Sequence, residues 1–577
     1  MTRYHCSHAW LPTGVAIDVL VEVAGGRFVA VHPRTPVDAP EAAGAVRLAG
    51  VTLPGMANAH SHAFHRALRG RTQQGRGTFW TWREQMYAVA GALDPDSYHA
   101  LAVAAYAEMA LAGITCVGEF HYLHHGPGGV KYSDPNAMGE ALIAAAADAG
   151  IRITLLDTLY LTAGVDGRPL EGTQLRFGDG SFDAWSNRLD RLRPRPHARI
   201  GAAAHSVRAV PVAALAELAA RTEGMPTHVH LSEQRAENEA CLAVHGRTPT
   251  ELLADRGLLG PRVTAVHATH LTDTDRAELG DSGTGACFCP TTERDLADGI
   301  GHARALSDAG SPLSLGSDSH AVVDLFEEAR GLEMHERLHT EHRGHFTGAE
   351  LIDAATAAGH AALGWSHSGA IAVGARADLV TVALDSPRTA GCDPAAIAFA
   401  ATAADVRHVV VDGRVVVRDG LHLAVPDVGA ALTRALQTIT TAPAGVLPSS
   451  NTDRPGRADA GPSGDPDEGG AANGASPNRA AGGAAERGGE SSKSGAPGSA
   501  VGIAERGGES SKGRAPGAAD GTAERGDWSG ENGAPPAADG AAERGGESGE
   551  NGAPPAAVDG GKAVAGQGGG NRIGAVQ

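Results

Sequence analysis

Between Leu53 and Leu338 the chain alternates short apolar, β-prone runs with stretches of helical pattern, and this alternation constrains its fold more than any other feature. The runs end near His62, His121, Tyr160, His205, His230, His267, Pro290 and Asp318. Among the intervening stretches are Ala-rich Ser97 to Ala112, stopped at Gly113; Pro135 to Ala149, stopped at Gly150; Val212 to Arg221; and a closing helix from about Asp324 to Leu338. Parallel strands need long crossovers, and a helix is the usual one. Eight such units imply an α/β fold, a (β/α)8 TIM-like barrel, whose chemistry gathers at the C-terminal ends of the strands.

The polar residues fall at those ends. In Leu53-Pro54-Gly55-Met56-Ala57-Asn58-Ala59-His60-Ser61-His62, alternation of side chains sends His60 and His62 to one face, close enough to share a cation. Later runs end in Thr227-His228-Val229-His230-Leu231-Ser232-Glu233, in Val263-Thr264-Ala265-Val266-His267 and in Leu313-Ser314-Leu315-Gly316-Ser317-Asp318. His60, His62, His230 and Asp318 offer three imidazoles and a carboxylate, a set that suits Zn²⁺ with one position open to water. Such a metal brings the water's pKa to about 7, which points to hydrolysis. His267 is either a further ligand or the group that, with Asp318, holds and deprotonates the attacking water. Glu233, three residues past His230, can lean over the site and pass a proton to a leaving nitrogen. Most of the 27 histidines are expected to be satisfied or solvated, His124, His125, His335, His339, His342 and His345 among them. What separates the four strand-end histidines and Asp318 from these is that they terminate strands in the same sense.

The two ends of the folded region read as β structure. Ala16–Val23 and Arg27–Val31 flank Gly25-Gly26, a hairpin signal, and similar runs return at Ala377–Val382 and Val406–Val417. We expect a small β-sandwich domain built from residues 1–50 and 370–446, the latter with a closing helix, around a barrel of residues 51–369. From Pro448 onward the chain has no Leu, Phe, Tyr, Met, Cys or His, and Glu486, Glu505, Glu524 and Glu543 mark a unit repeating every 19 residues. No copy carries a hydrophobic stripe, so residues 447–577 are expected to form a disordered low-complexity tail. The net charge of −19 argues against nucleic acid or an anionic membrane as the main partner. Six cysteines without a C-x-x-C pair read as reduced, buried thiols. Without an apolar N-terminal segment or a bilayer-length run, a cytoplasmic protein is expected.

The order His-x-His, His-x-x-Glu, His, Ser-Asp, with Gly374–Val380 closing a split β domain, resembles the amidohydrolase superfamily of metal-dependent deaminases over roughly Tyr4 to Val446. Dinuclear members carry a carboxylated Lys at the end of the fourth strand; His205 stands there in this chain, implying one metal per subunit. Within the superfamily, Asn58–Ala67, Thr78–Glu84, Gly118–His125, Ala204–Val210 and Cys289–Glu293 resemble the formimidoylglutamate deiminases. The resemblance implies hydrolysis of N-formimino-L-glutamate to N-formyl-L-glutamate and ammonia, a step of histidine degradation. It assigns substrate binding to Tyr122, His205 and the carboxylate-binding Arg208. Two positions depart from its pattern: His65 stands where Gln is expected, and Asp295 where Asn is expected. A small-molecule dicarboxylate substrate and a homodimer are the expected partners. Arg208 near a strand end suits bidentate carboxylate binding, and Arg83 is a second candidate whose alternative is a helix-surface arginine with a solvated head. A nucleobase or nucleoside deaminase on the same scaffold would keep the metal residues but need aromatic stacking and amide contacts instead of arginines. A non-catalytic scaffold protein is disfavoured by the intact ligand and proton-shuttle set.

Overall fold

The structure, a computed structural model, describes residues 1–73 and 79–441. The tail at 447–577 lies outside them, as does Thr78 of the Thr78–Glu84 stretch. Eight parallel strands follow one another around a barrel: Met56–Ser61, Ile114–His121, Arg152–Leu159, Ala198–Ala204, Thr227–Leu231, Val263–His267, Gly285–Phe288 and Leu313–Leu315. Nearly every residue in these strands is buried, as expected of strands covered on both faces. The last strand meets the first through a bridge between Ser61 and Asp318. Backbone bonds from Ser317 N (3.1 Å) and Asp318 N (3.0 Å) to His60 O, and from His62 N to Asp318 O (3.2 Å), close this seam. The Asn58 side chain fastens it further, donating to Ser317 Oγ (2.7 Å) and accepting from Ser317 N (2.9 Å).

The helices obey their capping residues. Asp94 caps the helix Pro95–Leu111 in a reciprocal box with Ser97, and this starts the helix two residues before the sequence pattern suggests. The helix Ala137–Ala149 starts after Pro135 because Asp134 accepts from Asn136 N in a local turn; it ends at Gly150, whose φ of 77° is left-handed. Val212–Arg221 coincides with its expected range, and Leu325–Thr340 follows its N-cap Asp324.

The two ends of the folded region meet in one eight-stranded sheet, in the order Leu421–His422, Arg414–Arg418, Val406–Val411, Leu379–Val382, Val46–Pro54, Thr2–Leu11, Gly14–Ala24, Arg27–His32. Ala24 pairs with Arg27 across Gly25-Gly26, both at positive φ, so the expected hairpin has a two-residue turn. Val46–Pro54 passes into the first barrel strand through Gly55, where a Cβ would lie 2.4 Å from Thr115 Oγ1 and 2.6 Å from Asp378 Cβ. Beside this junction Arg152, at the start of the third barrel strand, binds Asp378 through both terminal nitrogens and reaches Asp412 at 3.2 Å. The Trp365 ring lies within 5.2 Å of the Arg152, Arg199 and Arg376 guanidinium carbons. Sheet and barrel are thus joined by a buried ionic lock at the barrel's N-terminal end. Five cysteines are buried, Cys392 is half-buried, and all six are free thiols. Among the described residues no helix is long and apolar enough to cross a membrane.

Candidate active site

At the opposite end of the barrel the strand-end residues converge. His60 Nε2 lies 3.2 Å and His62 Nε2 3.3 Å from Asp318 Oδ1, and His230 Nε2 lies 3.1 Å from His60 Nε2. His267 Nε2 stands 3.9 Å from Asp318 Oδ2. The carbonyl of Phe120, an acceptor only, takes the Nδ1 proton of His62 at 2.9 Å, leaving Nε2 as a bare lone pair aimed at the centre. Burial pushes His60 down to about 3 and His230 well below the usual histidine range, so both rings are neutral, the form that ligates metal. Asp318 is ionised: burial favours its acid form, but His60, and then His267 and His62, outweigh it. The donor atoms of His60, His230, His267 and Asp318 all lie within 4.8 Å of one another, and those of His62, His65 and Asp318 likewise; this buried set of imidazoles around one carboxylate fits a divalent cation.

The surroundings hold these rings in place. Phe120 stacks on His230 at 4.3 Å between centroids. Glu119, a carboxylate inside a fully buried strand, accepts from Ala63 N (2.7 Å) and Ser61 Oγ (2.9 Å), and His320 Nε2 meets the same Ser61 Oγ at 2.9 Å. Five non-glycine residues at the strand ends, Ser232, His267, Ala268, Asp318 and His320, have left-handed backbones, a cost met where side chains must be aimed. Glu119 and His320 escaped the sequence reasoning. A lone acid in the apolar run Ile114–His121 was the available signal for the first.

Glu233 and His267 lie in the same cavity wall as His62, His230 and Asp318. Burial lifts Glu233 above the ordinary carboxylate range, with His267 and Arg208 opposing. Burial disfavours a charged His267, but Glu233, Glu293 and Asp318 outweigh it and hold the ring well above its usual range. Glu293 Oε1, 3.5 Å from His267 Nδ1, also accepts from Cys289 N at 2.8 Å.

His62, His230, Glu233, His267 and Asp318 line a chamber of about 60 Å³ together with His65, Trp82, Arg83, Tyr122, His205 and Arg208. It adjoins an outer chamber of about 620 Å³, and Arg83, Tyr160, His205 and Arg208 line both. Arg83 therefore stands at the neck between the chambers, half-buried and donating to Tyr87 OH at 2.7 Å, and the solvated-surface alternative does not hold. His65 Nε2 lies 3.0 Å from Tyr122 OH, so the residue in place of the expected Gln still reaches the chamber wall. Asp295 lines neither chamber: its carboxylate accepts from Gln73 Nε2 at 2.8 and 3.0 Å, while the next residue, Leu296, faces the inner chamber. His124 Nε2 meets Thr158 O and His125 Nε2 meets Asp179, while His125 Nδ1 is buried without a hydrogen-bond partner among the described residues. The nearby approach of His121, His124 and Asp157 is no cation site, because Arg188 occupies both Asp157 oxygens.

Residues 51–416 match the model of the Amidohydrolase family. A formimidoylglutamate deiminase of Pseudomonas aeruginosa is 39% identical over 441 residues, 73% of this chain and 96% of that protein. Among solved structures, an amidohydrolase from Brucella melitensis superposes with a TM-score of 0.69 at 31% identity, covering 76% of this chain and all of that one. An adenosine deaminase from Xanthomonas campestris with bound zinc does so at 0.65 and 25% identity, covering 76% of this chain and 97% of that one.

Proposed function

The chain belongs to the amidohydrolase family, and from that premise we propose that it is a zinc-dependent deiminase. It hydrolyses N-formimino-L-glutamate to N-formyl-L-glutamate and ammonia, within histidine degradation. The observation that carries this reading is the pair of guanidiniums, Arg83 and Arg208, in the wall of the chamber that holds the metal donors. A dicarboxylate needs such cations, whereas a nucleobase would meet two charges it cannot use. The 39% identity to the P. aeruginosa deiminase supports the same substrate.

His60, His62, His230 and Asp318 would hold the cation, which when bound supplies a water acidified to near-neutral pKa. The chain's own groups do the rest. Arg208 and Arg83 fix the substrate's carboxylates; Tyr122, His65 and His205 line the space for its formimidoyl end. His267, supported by Glu293, donates to the reacting water and orients it, and the ionised Asp318 beside it takes the proton. The water oxygen bonds to the formimidoyl carbon as the C=N double bond becomes single. Both protons of the water end on that nitrogen: Glu233 hands over one as the C–N bond becomes single and then relays the hydroxyl proton, so the nitrogen leaves as ammonia while the oxygen becomes the formyl carbonyl.

The second reading, deamination of a nucleobase or nucleoside, is favoured by the likeness to the zinc-bearing adenosine deaminase. Ammonia release from N-formimino-L-glutamate, N-formimino-L-aspartate, guanine, cytosine and adenosine separates the two. The formimino-glutamate reading expects the first substrate to exceed every ring compound by at least about a hundredfold in kcat/KM, the scale on which unpaired buried charges reject a substrate. A preference for any ring compound would overturn it.

A further inference from the structure

Glu237 is the third residue of the helix Arg235–His245, and its side chain is wholly buried. One oxygen accepts from Arg208 Nε at 2.6 Å; the other accepts from the backbone N–H of Ser232 at 3.1 Å. Ser232 has a left-handed backbone (φ 52°) and directly precedes Glu233. One carboxylate thus ties the guanidinium at the neck of the cavity to the turn that carries the proton shuttle. With Nε committed to Glu237, only the two terminal nitrogens of Arg208 remain for a ligand, and Nη2 already lies 3.7 Å from Glu233 Oε2.

We propose that Glu237 is a positioning residue that sets selectivity for substrates carrying a carboxylate, by aiming the terminal edge of Arg208 into the chamber. The inference rests on the deiminase reading above and adds to it the group that makes Arg208 selective. Burial works against the charge on Arg208, and Glu237 and then Glu233 outweigh it.

Two effects of Glu237 oppose one another, and this makes the idea testable. Its negative charge, beside that of Glu233, weakens the pull of Arg208 on an incoming carboxylate. Its two-point hold keeps a flexible four-torsion side chain in one place. In Glu237→Gln the amide oxygen can stay on Ser232 N and keep the Glu233 turn, while its NH₂ faces Arg208 Nε donor to donor, so the charge disappears and the hold on Arg208 is broken. If Glu237 acted through charge alone, the variant would bind the carboxylate substrate more tightly; if it acts by position, more weakly.

The experiment compares wild type, Glu237→Gln and Glu237→Asp on N-formimino-L-glutamate and on a carboxylate-free N-alkylformamidine, with metal content and melting recorded for each. For Glu237→Gln the expected result is a KM for N-formimino-L-glutamate raised about tenfold or more, with kcat changed by less than about threefold and kcat/KM for the formamidine within about twofold. Glu237→Asp keeps the charge but draws it back by one methylene; it should fall between the two, and it carries the test if Glu237→Gln does not fold. An unchanged or lowered KM, or an equal loss on both substrates, overturns the proposal while leaving the deiminase reading intact. A wild-type enzyme inactive on N-formimino-L-glutamate overturns both.

Discussion

Glu233→Gln separates a proton carrier from a ligand. The amide is nearly isosteric, so the buried volume is kept and no cavity opens. Arg208 Nη2 stands at 3.7 Å from Glu233, beyond a hydrogen bond, so no hydrogen bond to that cation is lost, and His267 loses the carboxylate's field rather than a contact. KM should therefore move by less than about fivefold, under about 1 kcal/mol. What the variant loses is proton transfer, typically about 10²–10⁴ in rate, or about 2.7–5.5 kcal/mol at 1.36 kcal/mol per decade. His230→Ala behaves differently: it removes one of the converging imidazoles and the ring stacked between Phe120 and His267. It should lose metal and activity together. Both variants are assayed side by side for metal per chain by atomic spectroscopy and for ammonia release under saturating substrate. A Glu233→Gln protein that is fully active, or one emptied of metal, would refute the shuttle; a His230→Ala protein that keeps stoichiometric metal would refute the ligand assignment.

Other substitutions test other levels of the molecule. Arg208→Met should raise KM for the dicarboxylate by about 30-fold or more, since losing one partner of a desolvated charged pair costs about 2–5 kcal/mol, and should leave metal content unchanged; loss of metal would make Arg208 structural. Arg152→Met strands Asp378, which is 1% exposed, and should lower stability by about 3–5 kcal/mol in denaturant titration. Arg152→Met/Asp378→Asn should recover most of that loss; a double variant as unstable as the single one would place the cost elsewhere. Burial pushes the thiols of Cys6, Cys116 and Cys241 up to about 12 and that of Cys289 well above its usual range, so iodoacetamide at pH 8 should label Cys392 in the native protein and the other five only after unfolding. Rapid native labelling of Cys116, read by mass spectrometry, would contradict the packing around it.

The barrel was legible because its signal is local: each apolar run ends in a polar residue, and alternation alone puts His60 and His62 on one face. The carboxylates that brace the site were not. Glu119 meets Ser61 across 58 residues and Glu237 meets Arg208 across 29, while at the barrel's other end Arg152 meets Asp378 across 226, so the partner that makes each burial tolerable is invisible to a pattern read along the chain. Asp295 misled for a related reason. Its place in the seventh-strand loop suggests the pocket, but the chain turns it toward Gln73 and gives the pocket Leu296 instead. The start of the helix at Pro95 was readable, since Asp94 and Ser97 spell a capping box; the alanine run behind them drew the boundary inward.

The seam between the first and last barrel strands gives the metal site a history in time. Asn58 and Ser317 are 259 residues apart, and bringing such distant points together costs an open chain about 5 kcal/mol of closure entropy. At synthesis rates of about 5–20 residues per second, His60 and His62 leave the ribosome some 13–50 seconds before Asp318 exists. Within that interval the chain gains His230 and His267 but still lacks the carboxylate of the proposed ligand set. The carboxylate that completes the set arrives on the same residue that bridges to Ser61. On the proposed ligand set, the carboxylate reaches the imidazoles only when the two ends of the barrel have met, and a bound cation would then hold those ends together.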